Sequence, residues 1–241
     1  MDALIYTIMS GAERGLRAQQ VHANNLANLE TGGFRADLEL ATSQAVPGYG
    51  YDTRHMSQLS ANAMSGREGA VRETGNDLDV AIDSNGMLAV QWQDGEAYTR
   101  AGHLVVDADG TLTVNGRAVM GDGGPISLPA YTRVSIAQDG TISVQQPGQL
   151  ELQEVDRLKL VRADAANLTK NEAGLTVARD GNTLAADDTV TVRAGYLEGS
   201  NVSAVEEMVA TMSLNRDFEI QMRLYKSADS MADAGNRLIR E

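Results

Sequence analysis

Residues 107–114 read Asp-Ala-Asp-Gly-Thr-Leu-Thr-Val, and the pattern returns at residues 137–144 as Ala-Gln-Asp-Gly-Thr-Ile-Ser-Val. In both copies an Asp-Gly pair comes directly before an alternating run of apolar and polar residues. Asp-Gly reaches the positive φ angles that tight hairpins require, and the alternation is typical of a strand with one buried face. Weaker copies begin at Asp83 and Asn171. The repeated unit therefore predicts an all-β region of short strands joined by turns. The strands are predicted at residues 88–92, 104–106, 112–114, 134–136, 142–144, 158–161 and 190–192.

The segment before this region, residues 2 to about 28, contains no proline and has a heptad pattern. The members of the pattern, one of them polar, are Ile5, Met9, Ala12, Leu16, Gln19, Ala23 and Leu26. This spacing predicts an amphipathic helix about 40 Å long at 1.5 Å per residue. Asn28 and the pair Gly32-Gly33 predict its end, and the ring of Phe34 is expected to anchor the chain again.

The helical pattern returns after Gly195 and continues to residue 241. Ser200 or Asn201 is the expected N-cap, since both side chains accept hydrogen bonds from the first turn of a helix. The apolar stripe is rich in methionine and shifts its register once. Its members are Val202, Val205, Val209 and Met212, and then Phe218, Met222, Tyr225, Ala228 and Ala232.

The predicted fold class is therefore α+β, an all-β central domain flanked by long N- and C-terminal helices. The predicted segments are an N-terminal helix and its stop (1–34), a connector (35–70), a β-rich globular domain (71–195) and a C-terminal helix (196–241). The connector is expected to be long and partly irregular, and its first part, residues 35–45, is either a continuing helix or an extended arm.

The two terminal stripes leave two alternatives for packing. A helix with one narrow apolar stripe needs packing partners, because isolated helices are marginal in water. Either the two helices pair with each other against the β domain, or the stripes pack against other molecules. Polar members of the N-terminal helix, such as Asn24, Asn25 and Asn28, are suited to setting register in a multi-helix interface.

Composition and charge exclude several classes of partner. The chain carries 33 acidic and 20 basic residues, a formal charge of −13, which repels nucleic-acid phosphates and anionic lipid. It has no cysteine, so disulfides, thiolate metal sites and cysteine nucleophiles are excluded. The sequence contains no run of about 18 apolar residues, so no membrane span is predicted. The N-terminus also lacks the pattern of a cleavable signal peptide. We therefore expect neither nucleic-acid binding nor direct membrane insertion.

Nothing in the sequence predicts a catalytic, cofactor or metal site. His22, His55 and His103 are not at metal-ligand spacing and are expected at surfaces or interfaces. Residues 107–110 lack the further oxygen ligands of a calcium loop and are expected to form a hairpin turn. Residues 121–125 are glycine-rich, but no lysine follows as in a phosphate-binding loop. No enzyme activity and no cofactor are therefore expected.

The boundaries of both helices resemble the rod and hook axial proteins of the bacterial flagellum. Residues 25–34, Asn-Leu-Ala-Asn-Leu-Glu-Thr-Gly-Gly-Phe, are similar to the N-terminal signature of that family, and residues 197–202, Leu-Glu-Gly-Ser-Asn-Val, to its C-terminal counterpart. Residues 74–82 and 98–102 resemble recurrent strand segments of the rod proteins. With only 241 residues the chain has no room for the outer domains of a hook protein, and it resembles a proximal-rod subunit more than a distal one.

The resemblance implies a structural subunit whose terminal helices pack in a helical tubular assembly around an export channel. It implies as partners further copies of the chain, neighbouring rod subunits and the flagellar type III export apparatus, and as location the basal-body rod within the periplasm, reached without signal-peptide cleavage. The expected assembly interface comprises Ile5, Met9, Leu16, Asn24, Asn25, Leu26, Asn28, Thr31, Gly33, Phe34, Leu197, Glu198, Ser200, Asn201, Val202, Met212, Phe218 and Met222. The alternatives are a distal-rod subunit, a non-catalytic β-domain binding module whose helices close on themselves, and a hydrolase with a carboxylate pair acting on cell-wall glycan.

Overall fold

In the computed structural model, the chain begins and ends with a long helix, and a region of short strands lies between the two helices in the sequence. The structure describes residues 2–45, 55–93 and 95–240, the side chains of residues 2–5, 58–62 and 238–240 excepted. Helix α1 spans Asp2–Ala27 and helix α2 spans Ala204–Arg240. The predicted α+β class, with a helix at each end of a mostly β region, is confirmed. Over the described ranges, no helix has the apolar run that crossing a bilayer requires.

The strands are short, apart from β1 and β2. In chain order they are β1 (Asp37–Ala45), β2 (His55–Met64), β3 (Val71–Glu73), β4 (Val80–Ile82), β5 (Gly86–Trp92), β6 (Gly95–Thr99), β7 (Leu104–Val106), β8 (Leu112–Val114), β9 (Arg117–Ala118), β10 (Met120–Gly121), β11 (Gly124–Pro125), β12 (Arg133–Ile136), β13 (Thr141–Gln145), β14 (Gln153–Arg157), β15 (Leu160–Arg162), β16 (Leu168–Lys170), β17 (Thr176–Ala178), β18 (Val192–Ala194) and β19 (Tyr196–Glu198). A 3₁₀ turn at Ala165–Asn167 precedes β16.

The largest sheet has five antiparallel strands in the order β15-β5-β6-β17-β16. Two three-stranded sheets, β7-β8-β9 and β12-β13-β14, are built from consecutive strands. The strand pairs β18-β4 and β19-β3 join the end of the β region to its beginning. The chain therefore leaves the β region beside the point where it entered.

The Asp-Gly motifs form the predicted hairpins. Gly110 and Gly140 have φ angles of 81° and 86°, and they stand between β7 and β8 and between β12 and β13. The Asp107 carboxylate accepts hydrogen bonds from the backbone N–H groups of Asp109 and Thr111. It is therefore used to close the turn, as the turn interpretation requires.

The core lies on both faces of the central sheet. Along β5 the side chains alternate, so that Leu88 and Val90 belong to one buried cluster and Met87 and Ala89 to another. The larger cluster continues through β8 and β13, and the smaller one contains the buried Tyr98. Burial raises the pKa of the Tyr98 hydroxyl, whose oxygen accepts a hydrogen bond from the Leu184 N–H at 2.6 Å. The five-stranded sheet is consequently the structural centre of the β region.

The structure differs from the predicted segments in two places. Residues 37–45 and 55–64, expected in a partly irregular connector, form the paired strands β1 and β2, so the extended alternative applies to residues 37–45. Helix α2 begins at Ala204, and Ser203 stands at its N-cap, where its carbonyl accepts from the Glu207 N–H. Ser200 and Asn201 precede the helix, because residues 196–198 are taken up by β19.

The chain divides into two compact units. The helical unit comprises Met1–Ala27, Asp37–Asn62 and Ser203–Glu241, and the β unit comprises Asn28–Ala36 and Ala63–Val202. The predicted interface residues fall into both units.

Candidate assembly interface

In the helical unit, α1 and α2 pair in antiparallel orientation through small and polar residues. Gly11 faces the side chain of Gln221, and Ala18 is completely buried. Farther along α1, the Gln19 side chain donates to Asn215 at 3.3 Å, and His22 contacts the Glu207 carboxylate. Residues that come later in α1 contact residues that come earlier in α2, so the two helices are antiparallel.

Asn25 is the most buried polar residue of this helix pair, with 1% of its surface exposed. Its amide nitrogen donates to the Asp37 carbonyl at 3.0 Å and to Glu207 at 3.2 Å, and its oxygen accepts from the Asp37 N–H at 2.8 Å. One amide thus connects α1, β1 and α2. A buried amide with these bonds fixes register, because any shift leaves polar groups unpaired. Asn24 is exposed and donates to the Asp37 carboxylate.

The apolar stripe of α1 does not take part in this pairing. Met9 and Leu16 are 55% and 49% exposed, and Leu26 is also exposed. The side chain of Ile5, another predicted member, lies outside the described residues. Met9, Leu16 and Leu26 of the heptad pattern therefore lie at the surface, whereas its polar member Gln19 contacts α2.

Helix α2 has an even larger exposed apolar surface. Met212 is 61% exposed, Met222 is exposed, and Phe218 is half-buried. Further exposed apolar side chains on α2 are Val205, Met208, Val209, Ile220, Leu224, Tyr225 and Met231. Contiguous apolar surface of this extent is typical of a protein–protein interface.

In the β unit, a tight turn follows α1 and requires glycine at position 33. The Thr31 N–H donates to the Asn28 carbonyl, and the Phe34 N–H to the Thr31 carbonyl, both at 3.2 Å. Gly33 has a φ angle of 68°, and a Cβ atom there would lie 2.3 Å from the carbonyl carbon of Arg100. The Gly33 N–H donates to the Glu198 carbonyl at 2.9 Å. Both the positive φ angle and the lack of space for a Cβ atom therefore require glycine at this position.

Phe34 and Asn201 bring the two family-like motifs together. The Asn201 N–H donates to the Phe34 carbonyl, and the Asn201 side-chain oxygen accepts from the Ala36 N–H at 2.7 Å. The Asn201 amide also donates to the Arg67 carbonyl at 2.7 Å. The half-buried Phe34 ring lies 3.8 Å below the ammonium group of Lys170. Phe34 is thus held by contacts of its carbonyl with Asn201 and of its ring with Lys170.

The remaining predicted residues of the C-terminal motif make fewer contacts. Leu197 lies opposite Arg72 in the β19–β3 pair. The Ser200 hydroxyl accepts from the N–H of Val202 at 3.3 Å, and Val202 is half-buried.

A buried cluster of three charges, which we call the Arg–Glu–Arg cluster, lies beneath this turn. Glu198 is only 3% exposed, and its carboxylate contacts Arg35 at 2.9 Å and Arg100 at 2.7 Å. Both arginines are buried as well. The cluster joins residues from the end of the N-terminal motif, from the loop after β6 and from β19. Removing one member of such a cluster leaves buried charge uncompensated.

Arg35 and Arg100 are the functional residues that the sequence analysis missed. Each lies beside or inside a motif that was recognised, since Arg35 follows Phe34 directly and Arg100 belongs to residues 98–102. Glu198 is the residue that could have indicated them. It lies between Leu197 and Gly199 at the end of a strand, and an acidic residue that is buried there needs a cationic partner.

Three aspartates in turns of the β unit have a lowered pKa, the direction opposite to that which acid catalysis requires. A general acid at neutral pH needs a raised pKa. Hydrogen bonds within their own turns instead lower the pKa of Asp139, Asp180 and Asp187, from the Thr141 N–H, the Asn182 side chain and the Thr189 side chain, respectively. Of the two buried acidic side chains described in the β unit, Glu198 is bound to two arginines, and Asp79 contacts the ring of His103 at 2.6 Å.

Comparison with known proteins links these elements to one family. The family described as "Flagella basal body rod protein" matches residues 5–35. The "Flagellar hook protein FlgE/F/G D1 domain" matches residues 81–144, and the "Flagellar basal body rod FlgEFG protein C-terminal" family matches residues 193–238. Among individual proteins, the chain is 41% identical to the flagellar basal-body rod protein FlgF of Escherichia coli strain K12, with 99% of each chain covered. The chain belongs to the flagellar basal-body rod protein family.

Other members of the flagellar basal-body rod family agree with this placement. The FlgF protein of Salmonella typhimurium strain LT2 is 40% identical, again with 99% of each chain covered. The FlgG protein of Bacillus subtilis strain 168 is 28% identical, with 94% of this chain and 95% of the relative covered. The predicted family resemblance is confirmed, and the FlgF-like character agrees with the expected nearness to a proximal-rod subunit. The three matched segments contain α1, the turn with Gly33, the Arg–Glu–Arg cluster and nearly all of α2.

Proposed function

We propose that this chain is a non-catalytic structural subunit of the proximal rod, and that it polymerises through α1 and α2 into a helical tube around an export channel. In the assembled rod the subunit transmits torque. Its partners are copies of itself and neighbouring rod subunits, and it reaches the periplasm through the flagellar type III export apparatus. Membership of the rod family supports the structural role.

The observation that carries the assembly step is the exposed apolar surface on both terminal helices. Met9, Leu16 and Met212 are each about half exposed or more, although they are among the most apolar side chains of their helices. Burial stabilises such surface by roughly 25 cal/mol per Å², so packing against neighbouring subunits is favourable. The polar pairing of α1 with α2 leaves these stripes available to a second molecule.

The remaining predicted interface residues have a separate role in this proposal. Gly33, Phe34, Glu198 and Asn201 hold the turn at which the chain enters and leaves the β unit. They act within the β unit, where they hold together the segments at which the chain enters and leaves it, whereas the stripes supply the contact surface.

Substitution of Leu16 tests the proposal. We expect Leu16→Asp to abolish swimming of a flagellated strain that carries it in place of the native protein, because a charge in the stripe opposes burial. Leu26→Asp is expected to act in the same way. The purified variants should keep the unfolding midpoint of the wild type, since Leu16 is exposed in the single chain.

Gln20→Asp is the matched control, because it adds the same charge to the same helix at a residue that is already polar and exposed. It should swim normally. Normal swimming by either leucine variant, with wild-type levels of the protein in isolated basal bodies, would contradict assembly through this stripe.

A further inference from the structure

The Arg–Glu–Arg cluster has one carboxylate whose capacity to accept hydrogen bonds is fully used. Oε1 of Glu198 accepts from Arg35 Nη2 and from the Gly69 N–H, both at 2.9 Å. Oε2 accepts from Nε and Nη2 of Arg100. An ionised carboxylate offers about four acceptor positions. Glu198 therefore cannot serve a further donor.

The two guanidinium groups differ in how many of their donors are used. Arg100 directs all of its nitrogens to acceptors, because Nη1 donates to the carbonyls of Ser84 and Gly86 and Nη2 also donates to that of Ile82, each at 2.6 Å. Arg35 is different, since its buried Nη1 has no hydrogen-bond partner among the described residues. A buried guanidinium N–H without an acceptor is costly.

The cluster also has an excess of positive charge. Two guanidinium groups face one carboxylate, which leaves one net positive charge in a buried place. Burial lowers the pKa of Arg35 below its ordinary value, and the charge of Arg100 lowers it further. Glu198 and the exposed Glu68 act in the opposite direction. The group that would complete this site is therefore an acceptor that carries negative charge.

A cavity of about 100 Å³ adjoins the cluster and is lined by Arg35 and Arg100. The hydroxyl-bearing Ser65 and the amide-bearing Asn85 also line it, and Met87 contributes to an apolar wall. None of the described lining residues is acidic. The volume corresponds to about three water molecules at about 30 Å³ each, which is enough for a small oxyanion.

We propose that this cavity binds one small oxyanion through Nη1 of Arg35. Nη1 offers two N–H donors on a charged group, and a charge-assisted hydrogen bond is stronger than a neutral one. The bound anion neutralises the surplus charge of the cluster and supplies the acceptor that Glu198 cannot. Since Arg35 immediately follows the turn with Gly33, the anion stabilises the segment that connects α1 to the β unit. The inference concerns the single chain and does not depend on rod assembly.

Inorganic phosphate is the probe, added to the full-length protein at constant ionic strength with chloride as the other anion. Phosphate also stabilises proteins generally because it is excluded from their surfaces, so a rise in unfolding temperature is not sufficient by itself. The ³¹P resonance supplies the second readout. We expect it to broaden in the presence of the protein, and we expect the added width to decrease as phosphate is raised above the concentration of binding sites, because the bound fraction of phosphate then falls.

Three variants assign the binding to this cavity. Ala165→Leu fills the cavity from a residue outside the charged cluster and should abolish the ³¹P broadening. Arg35→Lys keeps the charge but removes the Nη1 donor that faces no acceptor, and should weaken phosphate binding at least tenfold. Arg133→Lys changes an exposed arginine in the same way and should leave the binding unchanged.

The proposal is overturned if the wild type does not broaden the ³¹P resonance, which would mean that the cavity holds water only. Equal broadening by wild type and Arg35→Lys would overturn it as well, since binding would then lie elsewhere. If Ala165→Leu does not fold, the comparison of Arg35→Lys with Arg133→Lys still decides the question.

Discussion

The helical unit and the β unit bury opposite kinds of residue. In the β unit the interior is apolar, and Leu88, Val90 and Leu112 are completely buried. In the helical unit the contacts between α1 and α2 include Gly11 and the polar Gln19 and Asn25, while Met9, Leu16 and Met212 stay at the surface. The β unit thus has the composition of a self-sufficient domain. The helical unit has the composition of a part whose apolar surface is completed by other molecules.

The Arg–Glu–Arg cluster is an exception to the apolar interior of the β unit. Removal of its carboxylate is the substitution with the largest expected effect on the free energy of unfolding. We expect Glu198→Ala to lower the free energy of unfolding of the β unit by about 3–5 kcal/mol, because two buried guanidinium groups lose their carboxylate. Urea unfolding followed by the fluorescence of Trp92 measures this. Glu30→Gln, at an exposed position, is the control and should have little effect. A loss below about 1 kcal/mol for Glu198→Ala would mean that the cluster does not hold the β unit together.

The same leucine truncation in each unit tests the comparison directly. Leu88→Ala should cost about 2–5 kcal/mol, since it leaves a cavity in the central sheet. Leu16→Ala should stay within about 0.5 kcal/mol, because its side chain is exposed in the single chain. Thermal and urea unfolding of the two variants give both numbers. Similar losses at the two positions would show that the stripe of α1 is already buried in solution.

The polar interior of the helical unit predicts a third, smaller effect. Asn25→Ala removes a buried amide that is bonded to Asp37 and Glu207, and it leaves the half-buried Asp37 N–H without this acceptor. We expect a loss of about 1–3 kcal/mol in the local stability of α1. Amide hydrogen exchange of α1 in the purified monomer measures it. Asn24→Ala, one residue away and exposed, should leave exchange nearly unchanged; equal effects would contradict the role of Asn25 in register.

The smallest expected effect is a dependence of stability on pH that arises from aspartates in the turns of the β unit. Backbone and side-chain hydrogen bonds from Thr141 hold the pKa of Asp139 below its ordinary value of 3.8. A carboxyl whose pKa is lowered by folding contributes stability that is present above the unfolded pKa and is lost as the pH falls through the folded pKa. The unfolding midpoint should therefore decline below about pH 4. Asp139→Asn should reduce that decline slightly, and an unchanged profile would exclude Asp139 as a contributor.

Local chemistry made much of the fold predictable. The Asp-Gly pairs at 109–110 and 139–140 require positive φ angles that few other residues adopt, and the strands after them alternate in polarity, so two of the hairpins were predicted in place. Strands β1 and β2 were not predicted. Alternation of polar and apolar residues is limited to residues 37–40 in β1, and both leucines there are exposed, so no sustained pattern marked a buried face.

The sequence by itself determined which stretches are helical, where the turns fall, and which family the terminal motifs resemble, because these follow from residues close together in the chain. Only the tertiary structure decided which face of α1 meets α2, and it selected Gly11, Ala18 and Asn25 over the heptad stripe. It alone brought Arg35 and Arg100 to Glu198, residues that are far apart in the chain. The physical reason is that burial of charge and the choice of a packing face depend on contacts between distant residues, which no local pattern of side chains specifies.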